Sequence, residues 1–431
     1  MTYRTPSDCS VDTWQQLRVD PIREELLANG ETPELDRILE LFPRTTGPAA
    51  FDAQVIAANI ERLETNPEVD TGHALLDLSV KTGLAFIDAT FQGDHPKYGI
   101  MAYGQNCHNG FPPVIISSID ALSGWGLHDR AKQLFRYWLL NLVREDGTVK
   151  YRGTSIAEMG QLIHTGVSLA ERSGTRGWWG EGFPVLDRMV QYLLQLRARA
   201  ESEDGLIAGS PEDDERKKVG KYFHNNAWAA KGLVRWAELC RQEDASPTTA
   251  PEAVLEIADA LASDSMDAIQ RTWPDDPEDW WLPPQVEPLG SPIALAYTPE
   301  TGLTKPDGIQ RIASYTNYRY WPELLSSGLL PEDMANRVVE ARLHAGGQFC
   351  GMTRFANWLD DWPLADYLYG LWQLGRKNDF LLSLFGHVAY HQAEDHLTAY
   401  EQVTFPPGAM KAPYCLPCQL VAARAARLLV D

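Results

Sequence analysis

Two short stretches of this chain gather carboxylates in settings suited to acid–base work. One is Ser210-Pro211-Glu212-Asp213-Asp214-Glu215-Arg216. The other is Glu394-Asp395-His396, followed by Tyr400-Glu401-Gln402-Val403 and closed by Pro406-Pro407-Gly408. A protonated carboxyl can donate to a leaving oxygen, and an ionised one can activate water or attack carbon. Two of them on either side of a bond therefore suit cleavage of an acetal such as a glycosidic linkage. Glu401, flanked by Tyr400 and the apolar Val403, is better placed for a raised pKa than an acid inside a charge run. The run 212–216 also reads as a solvated acidic loop, and Glu401 as a surface or capping carboxylate.

Other constellations are weaker. His387 and His391 stand at i, i+4 with His396 nearby, but a zinc hydrolase helix needs Glu after the first His, and Val388 is there. Core or loop-facing histidines are the expectation, with no metal. Cys415-Leu416-Pro417-Cys418 has redox spacing at a helix start but lacks a βαβ context, and one such pair cannot build a four-thiolate zinc site. No glycine-rich nucleotide fingerprint occurs, so no cofactor is expected.

Sugars present apolar C–H faces beside hydroxyls, so their sites need aromatic platforms and planar polar groups. The loops supply Tyr98, Tyr103, Gln105, Asn106, His108, Tyr151, Trp280, Trp281, Tyr315, Tyr318, Tyr320, Arg354, Trp358 and Trp362. Tyr222, His224 and Asn225, where the next helix begins, join this candidate binding set. Several of the 14 tryptophans fall in loops, where core packing explains them less easily.

The elements that must position these residues have a rhythm. Two helical stretches joined by a short connection are followed by a long loop, about six times over. The long loops fall near 89–112, 143–154, 201–222, 273–310, 346–360 and 394–413. Between them lie amphipathic segments such as 113–125 with 127–142, 155–173 with 181–200, and 361–376 with 378–393. In 223–243, Trp228, Leu233, Trp236, Ala237 and Cys240 recur at helical spacing on one stripe. Strand-like alternation is sparse, with at most a short hairpin near 293–305. In an antiparallel helical array the short turns and long loops lie at opposite ends, so all six long loops gather on one face. Loops of this length are usually functional. The units vary in length and share no consensus, which favours closure into an all-α (α/α)6 barrel over a solenoid. The last helix, 414–430, then packs near 72–88, and loops three and six stand opposite each other.

Length and charge bound the partners. The chain has 431 residues, 44% hydrophobic, which is ample for a large core. No linker or low-complexity tract marks a boundary, so residues 49–431 read as one domain. Residues 1–48, with Pro21, Pro33, Pro43 and Pro48, read as a helical N-terminal extension. A formal charge of −21 disfavours nucleic acid and anionic membranes. The start of the chain shows no apolar signal region, and no apolar run approaches membrane-spanning length. Six cysteines in such a chain read as reduced thiols of a cytoplasmic protein. Whether it is a monomer or a homo-oligomer is left open.

The segments Asp204–Ile207 and Tyr222–Leu233 resemble the third-hairpin region of family 15 and family 63 glycoside hydrolases. Tyr400–Gly408, followed by a closing helix, resembles their general-base loop. Gly346–Trp358 sits where such enzymes carry a sugar-contacting Gly/Arg/Trp segment. The likeness spans about 75–430. It implies Glu401 as the base and an acid from Asp213, Asp214 or a neighbouring Glu as proton donor, acting with inversion. One departure stands out: where family 15 places its acid directly after the Asp-Gly pattern, this chain has Ala208, and the acidic cluster is displaced.

The leading expectation is a glycoside hydrolase acting at the end of an oligosaccharide or small glycoside, since loops as long as 273–310 close a pocket rather than leave a groove. Asp214 is the expected acid and Glu401 the base, with Arg354, Gln105 and Trp358 positioning sugar. A lyase or dehydratase-isomerase on the same toroid is the alternative, using Tyr222, His224, Asn225, Tyr315 and Arg319, with Cys107 and Cys350 as minor candidates. A non-catalytic sugar-binding scaffold is the third class.

Overall fold

A computed structural model describes residues 69–99, 110–153, 155–175, 178–200, 204–212, 219–243, 245–275, 280–287, 315–344, 347–349, 351–355, 358–392, 397–404 and 410–430. The N-terminal extension and the hairpin expected near 293–305 lie outside them.

Helices alternate between an outer and an inner layer. The outer ones are α1 (Ala74–Thr90), α3 (His128–Leu142), α5 (Trp179–Ala200), α7 (Pro251–Thr272), α9 (Glu332–His344) and α11 (Lys377–Gly386). The inner ones are α2 (Pro112–Gly124), α4 (Ile156–Ser173), α6 (Phe223–Gln242), α8 (Trp321–Ser327), α10 (Leu364–Gln373) and α13 (Val421–Val430), the last preceded by the one-turn α12 (Leu416–Gln419). Each inner helix packs on the next, α2 on α4, α4 on α6, α6 on α8, α8 on α10, α10 on α13, and α13 back on α2. The ring is closed, and the architecture is an (α/α)6 barrel. The last helix packs on α1 as the periodicity predicts.

Local chemistry explains why the elements start and stop where they do. Prolines open α2 and α7 at the position where a missing N–H costs nothing. Ser155 caps α4 by accepting the Glu158 amide. Every inner helix follows a long connection and every outer helix after α1 a short one, so the inner N-termini and the long loops share one face. Trp138, Trp178, Trp236 and Phe135 fill the space between the layers.

Inner helices α4 and α6 cross at glycine. A Cβ on Gly160 would collide with the Trp228 carbonyl, and one on Gly232 would stand 2.6 Å from the Gly160 carbonyl oxygen. Gly160→Ala is expected to lower unfolding free energy by about 1–3 kcal/mol through overpacking. That outweighs the roughly 1 kcal/mol alanine gains in an open helix. A denaturant midpoint at or above wild type would contradict so close a crossing.

One expectation needs correction. Loops five and six are not irregular throughout. They contribute β1 (Gln348–Phe349), β2 (Met352–Phe355), β3 (Trp358–Leu359), β4 (Tyr400–Thr404) and β5 (Met410–Tyr414), paired antiparallel in that order. Leu359 lies opposite Val403, and Tyr400 opposite Tyr414. The strands have two to five residues, too short for alternation to register, and the central β3–β4 pair joins segments about forty residues apart. Long-range pairing rather than local pattern creates them.

Along the axis below this face lies a cavity of about 260 Å³, lined by Asp120, His164, Lys231, Asp366, Tyr369 and Arg424 among others. Asp120 and Arg424 in it are paired, while Lys231 and Asp366 both bond Ser326. Arg424 donates to Asp120 at 3.0 Å and holds that carboxyl below its usual range, although burial acts in the opposite direction. Trp362 and Glu323 close the cavity toward the loop face.

Candidate active site

The π-helical turn Thr316–Tyr320 leads into α8 and buries Arg319 completely. Such turns widen a helix by one residue and concentrate at functional sites. The guanidinium meets three carboxylates. Nε donates to Glu323 Oε1 at 2.6 Å, Nη2 to Glu158 Oε1 at 2.6 Å, and Nη1 to Glu212. Its plane also sits 4.6 Å from the centre of the Trp362 ring. Among these carboxyls Glu323 is the one that holds a proton near neutral pH, since burial pushes it up to about 8 against the opposing pull of Arg319.

This has a sign for stability. Glu323 ionises at about 8 in the fold, against its ordinary 4.5. Its contribution is therefore fully present below pH 4.5 and is lost as pH rises toward 8. Glu323→Gln keeps an acceptor for Arg319 and removes the titration. Relative to wild type, the variant is expected to gain on the order of a few kcal/mol between pH 5 and pH 8. Parallel pH–stability curves from denaturant titrations would contradict the assignment of the proton.

The second centre is built by loops one, five and six. Tyr98 donates its hydroxyl to Glu401 Oε1 at 2.9 Å. Asp360, fully buried, accepts from Gln402 Nε2 at 3.0 Å and from the Trp362 amide at 3.3 Å, and it also bonds the Tyr318 hydroxyl. Burial first, and the Glu401 charge second, push the Asp360 carboxyl well above the usual carboxylate range. Asp360 therefore favours its protonated form, as a buried carboxyl with a second carboxyl in its surroundings does.

The two centres share an aromatic floor. Tyr98 packs edge-on against Phe111 with centroids 5.8 Å apart, and Phe111 stacks on Trp362, also at 5.8 Å. Trp362 in turn carries Arg319. A chain of ring contacts thus runs from Tyr98, which holds Glu401, to the Arg319 cluster.

A third group lies behind Glu401. Asp361 Oδ2 accepts from His387 Nδ1 at 2.7 Å and stands 3.6 Å from His391 Nδ1, while Asp361 Oδ1 accepts the Thr353 amide at 2.7 Å. His391 Nε2 donates to the Tyr400 carbonyl at 2.6 Å. His387 and His391 form a π-helical turn with stacked rings, and both are fully buried, as expected of core histidines.

The expected site residues fall into distinct groups. Asp213, Asp214, Tyr103, Gln105 and His108 lie outside the described residues, as do Cys107 and Cys350. Trp358 is set by its backbone, in register with Phe355 and Thr404. Asn225 is fully buried and clamps loop three, accepting the Ala157 amide at 3.1 Å and donating to the Ser210 carbonyl at 2.8 Å. His224 bonds the Pro211 carbonyl and stacks on Tyr320 at 4.7 Å, with burial driving its pKa down to about 3. It therefore stays neutral 3.7 Å from Glu323. Tyr222 and Tyr315 pack around Tyr320, and Trp281 and Arg354 are buried. Loop-three residues thus meet the Arg319 cluster, and Glu401 is brought to the far side of the same floor.

Glu158, Glu323, Asp360 and Phe111 were not anticipated. The Ser155-x-x-Glu158 pattern reads as a capping box, which hides the second use of Glu158. The available signal for Asp360 was the pair Asp360-Asp361 inside the otherwise apolar stretch Trp358–Leu364.

No protein-family model matches the chain, and no curated protein matches its sequence. Among solved structures it is similar to a glycosidase with a glutamate-to-alanine substitution, at 15% identity and TM-score 0.53, covering 84% of this chain and 99% of that one. It is also similar to a glycosidase with another glutamate-to-alanine substitution, in complex with glucose, at 15% identity and TM-score 0.52 over the same shares. A tyrosine-to-phenylalanine variant of a glycosidase gives 14% identity and TM-score 0.51, again over 84% and 99%. At these identities the likeness is one of fold. Among the described residues, no helix is long and apolar enough to cross a membrane.

Proposed function

We propose that this chain is a glycoside hydrolase that removes a terminal sugar from an oligosaccharide or small glycoside with inversion. The observation that carries the reading is the pair of carboxyl centres joined by the Phe111–Trp362 floor on the loop face of an (α/α)6 barrel. A sugar ring laid on those aromatics has Glu401 toward one side and loop three toward the other. Glu401, held by Tyr98, takes the proton of the attacking water. Buried Asp360 keeps its own proton, so it does not compete as a base and its neutral form spares Glu401 a second adjacent charge. The donor to the leaving oxygen is Asp214, with Asp213 as its neighbour in the run that begins at Glu212. Arg319 fixes the start of that run through Glu212. The glucose seen with a glycosidase of this fold supports a monosaccharide-sized subsite.

The experiment is a panel of disaccharides and aryl glycosides read for reducing-sugar release and, in parallel, for near-ultraviolet absorbance. Release without absorbance is the expected result. An absorbing unsaturated product would replace hydrolysis by a lyase reaction. Binding by calorimetry with no turnover would make the chain a sugar-binding protein.

A further inference from the structure

We propose that Asp361, His387 and His391 form a binding site for one divalent first-row metal ion of the zinc type. Among the described residues they form the cluster in which one ligand atom from each of three groups lies within 4.8 Å of the others. All three are buried.

The hydrogen bonds determine which atoms are available. His391 donates from Nε2 to the Tyr400 carbonyl, so its neutral ring has a lone pair on Nδ1. That atom makes no hydrogen bond and stands 3.6 Å from Asp361 Oδ2. Two Lewis bases meet there, too far apart for a proton to join them well. Two ligands about 2.1 Å from one ion at a tetrahedral angle are roughly 3.4 Å apart, close to this separation. An imidazole that gives its outer N–H to a backbone carbonyl and its inner nitrogen to a metal is also the usual way a ligand is oriented. Thr353, whose amide bonds Asp361, adds a buried hydroxyl that makes no hydrogen bond.

Two imidazoles and a carboxylate favour zinc-type ions over calcium or magnesium, which prefer oxygen. Binding through His387 Nδ1 moves that ring's single proton from Nδ1 to Nε2, the nitrogen that makes no hydrogen bond, and leaves Asp361 Oδ2 free to ligate. The ion would tie the segment carrying Asp360 to the strand carrying Glu401, through Asp361 on one side and His391–Tyr400 on the other. It would brace the carboxylates without touching substrate.

The test produces the whole chain in zinc-supplemented medium, removes loose metal with a chelator and counts zinc by mass spectrometry. About one zinc per chain is expected to be retained, with occupancy reduced at least roughly tenfold in Asp361→Asn and in His391→Gln. Cobalt in place of zinc is expected to give visible absorption that both variants lose. Wild type with no more zinc than the variants, and colourless with cobalt, would overturn the site and leave a hydrogen-bonded brace. Because stoichiometry and colour are read on wild type, the test stands even where a variant does not fold. It is also independent of sugar turnover.

Discussion

Replacing Glu401 with glutamine is expected to lower turnover of a susceptible glycoside by about 10²–10⁴-fold, the range in which positioned acid–base groups contribute. The fall should appear in kcat, with substrate affinity largely kept. Glutamine preserves the shape and an acceptor for the Tyr98 hydroxyl, now 2.9 Å from Glu401 Oε1. It cannot take a proton from water. The unfolding midpoint should stay near that of wild type, because Glu401 is only partly buried and its strand remains paired. Azide or formate offered as an external base is expected to restore part of the rate to the variant. Turnover at the wild-type level in Glu401→Gln would remove this residue from the chemistry.

The largest effect on folding is expected at Arg319. Arg319→Met leaves Glu158, Glu212 and Glu323 around a neutral side chain. Breaking a buried ionic network by removing one partner typically costs about 3–5 kcal/mol, because the remaining charges are uncompensated. The deficit has a pH dependence whose sign can be worked out. Without the guanidinium the ionised forms of Glu158 and Glu212 lose a partner that their protonated forms do not need. The deficit is then smallest at low pH, where carboxyls are protonated, and grows as pH rises. Denaturant titrations of the variant at pH 5 and pH 8 should therefore show the deficit growing with pH. Arg319→Lys should recover part of it, since an ammonium supplies charge but cannot serve three separate carboxylates in one planar fork. A small deficit that does not change with pH would contradict the network.

Some of this was legible in the sequence and some was not, for physical reasons. The ring was legible because each of its helices carries its own apolar stripe, as in 223–243, and because short and long connections alternate. Those are local signals repeated many times. Glu401 stood out because a carboxylate between Tyr400 and Val403 is unusual on its own. Asp360 did not, since its raised carboxyl comes from burial in the folded chain and from Glu401, about forty residues away. Glu158 already had a sufficient local role at the start of α4, and only Arg319 reveals the second. His387 and His391 lacked the glutamate that a helical zinc motif requires. Their acidic partner, Asp361, arrives instead from another loop.

Water is expected to reach the sugar carbon from the Glu401 side while a loop-three carboxyl protonates the leaving oxygen. Proton NMR of the first turnovers, before mutarotation, reads the anomeric configuration of the released sugar. The configuration opposite to the substrate's is expected to appear first. Release with the original configuration would require a covalent sugar intermediate on one carboxylate, and would contradict the assignment of Glu401 as the base that activates water.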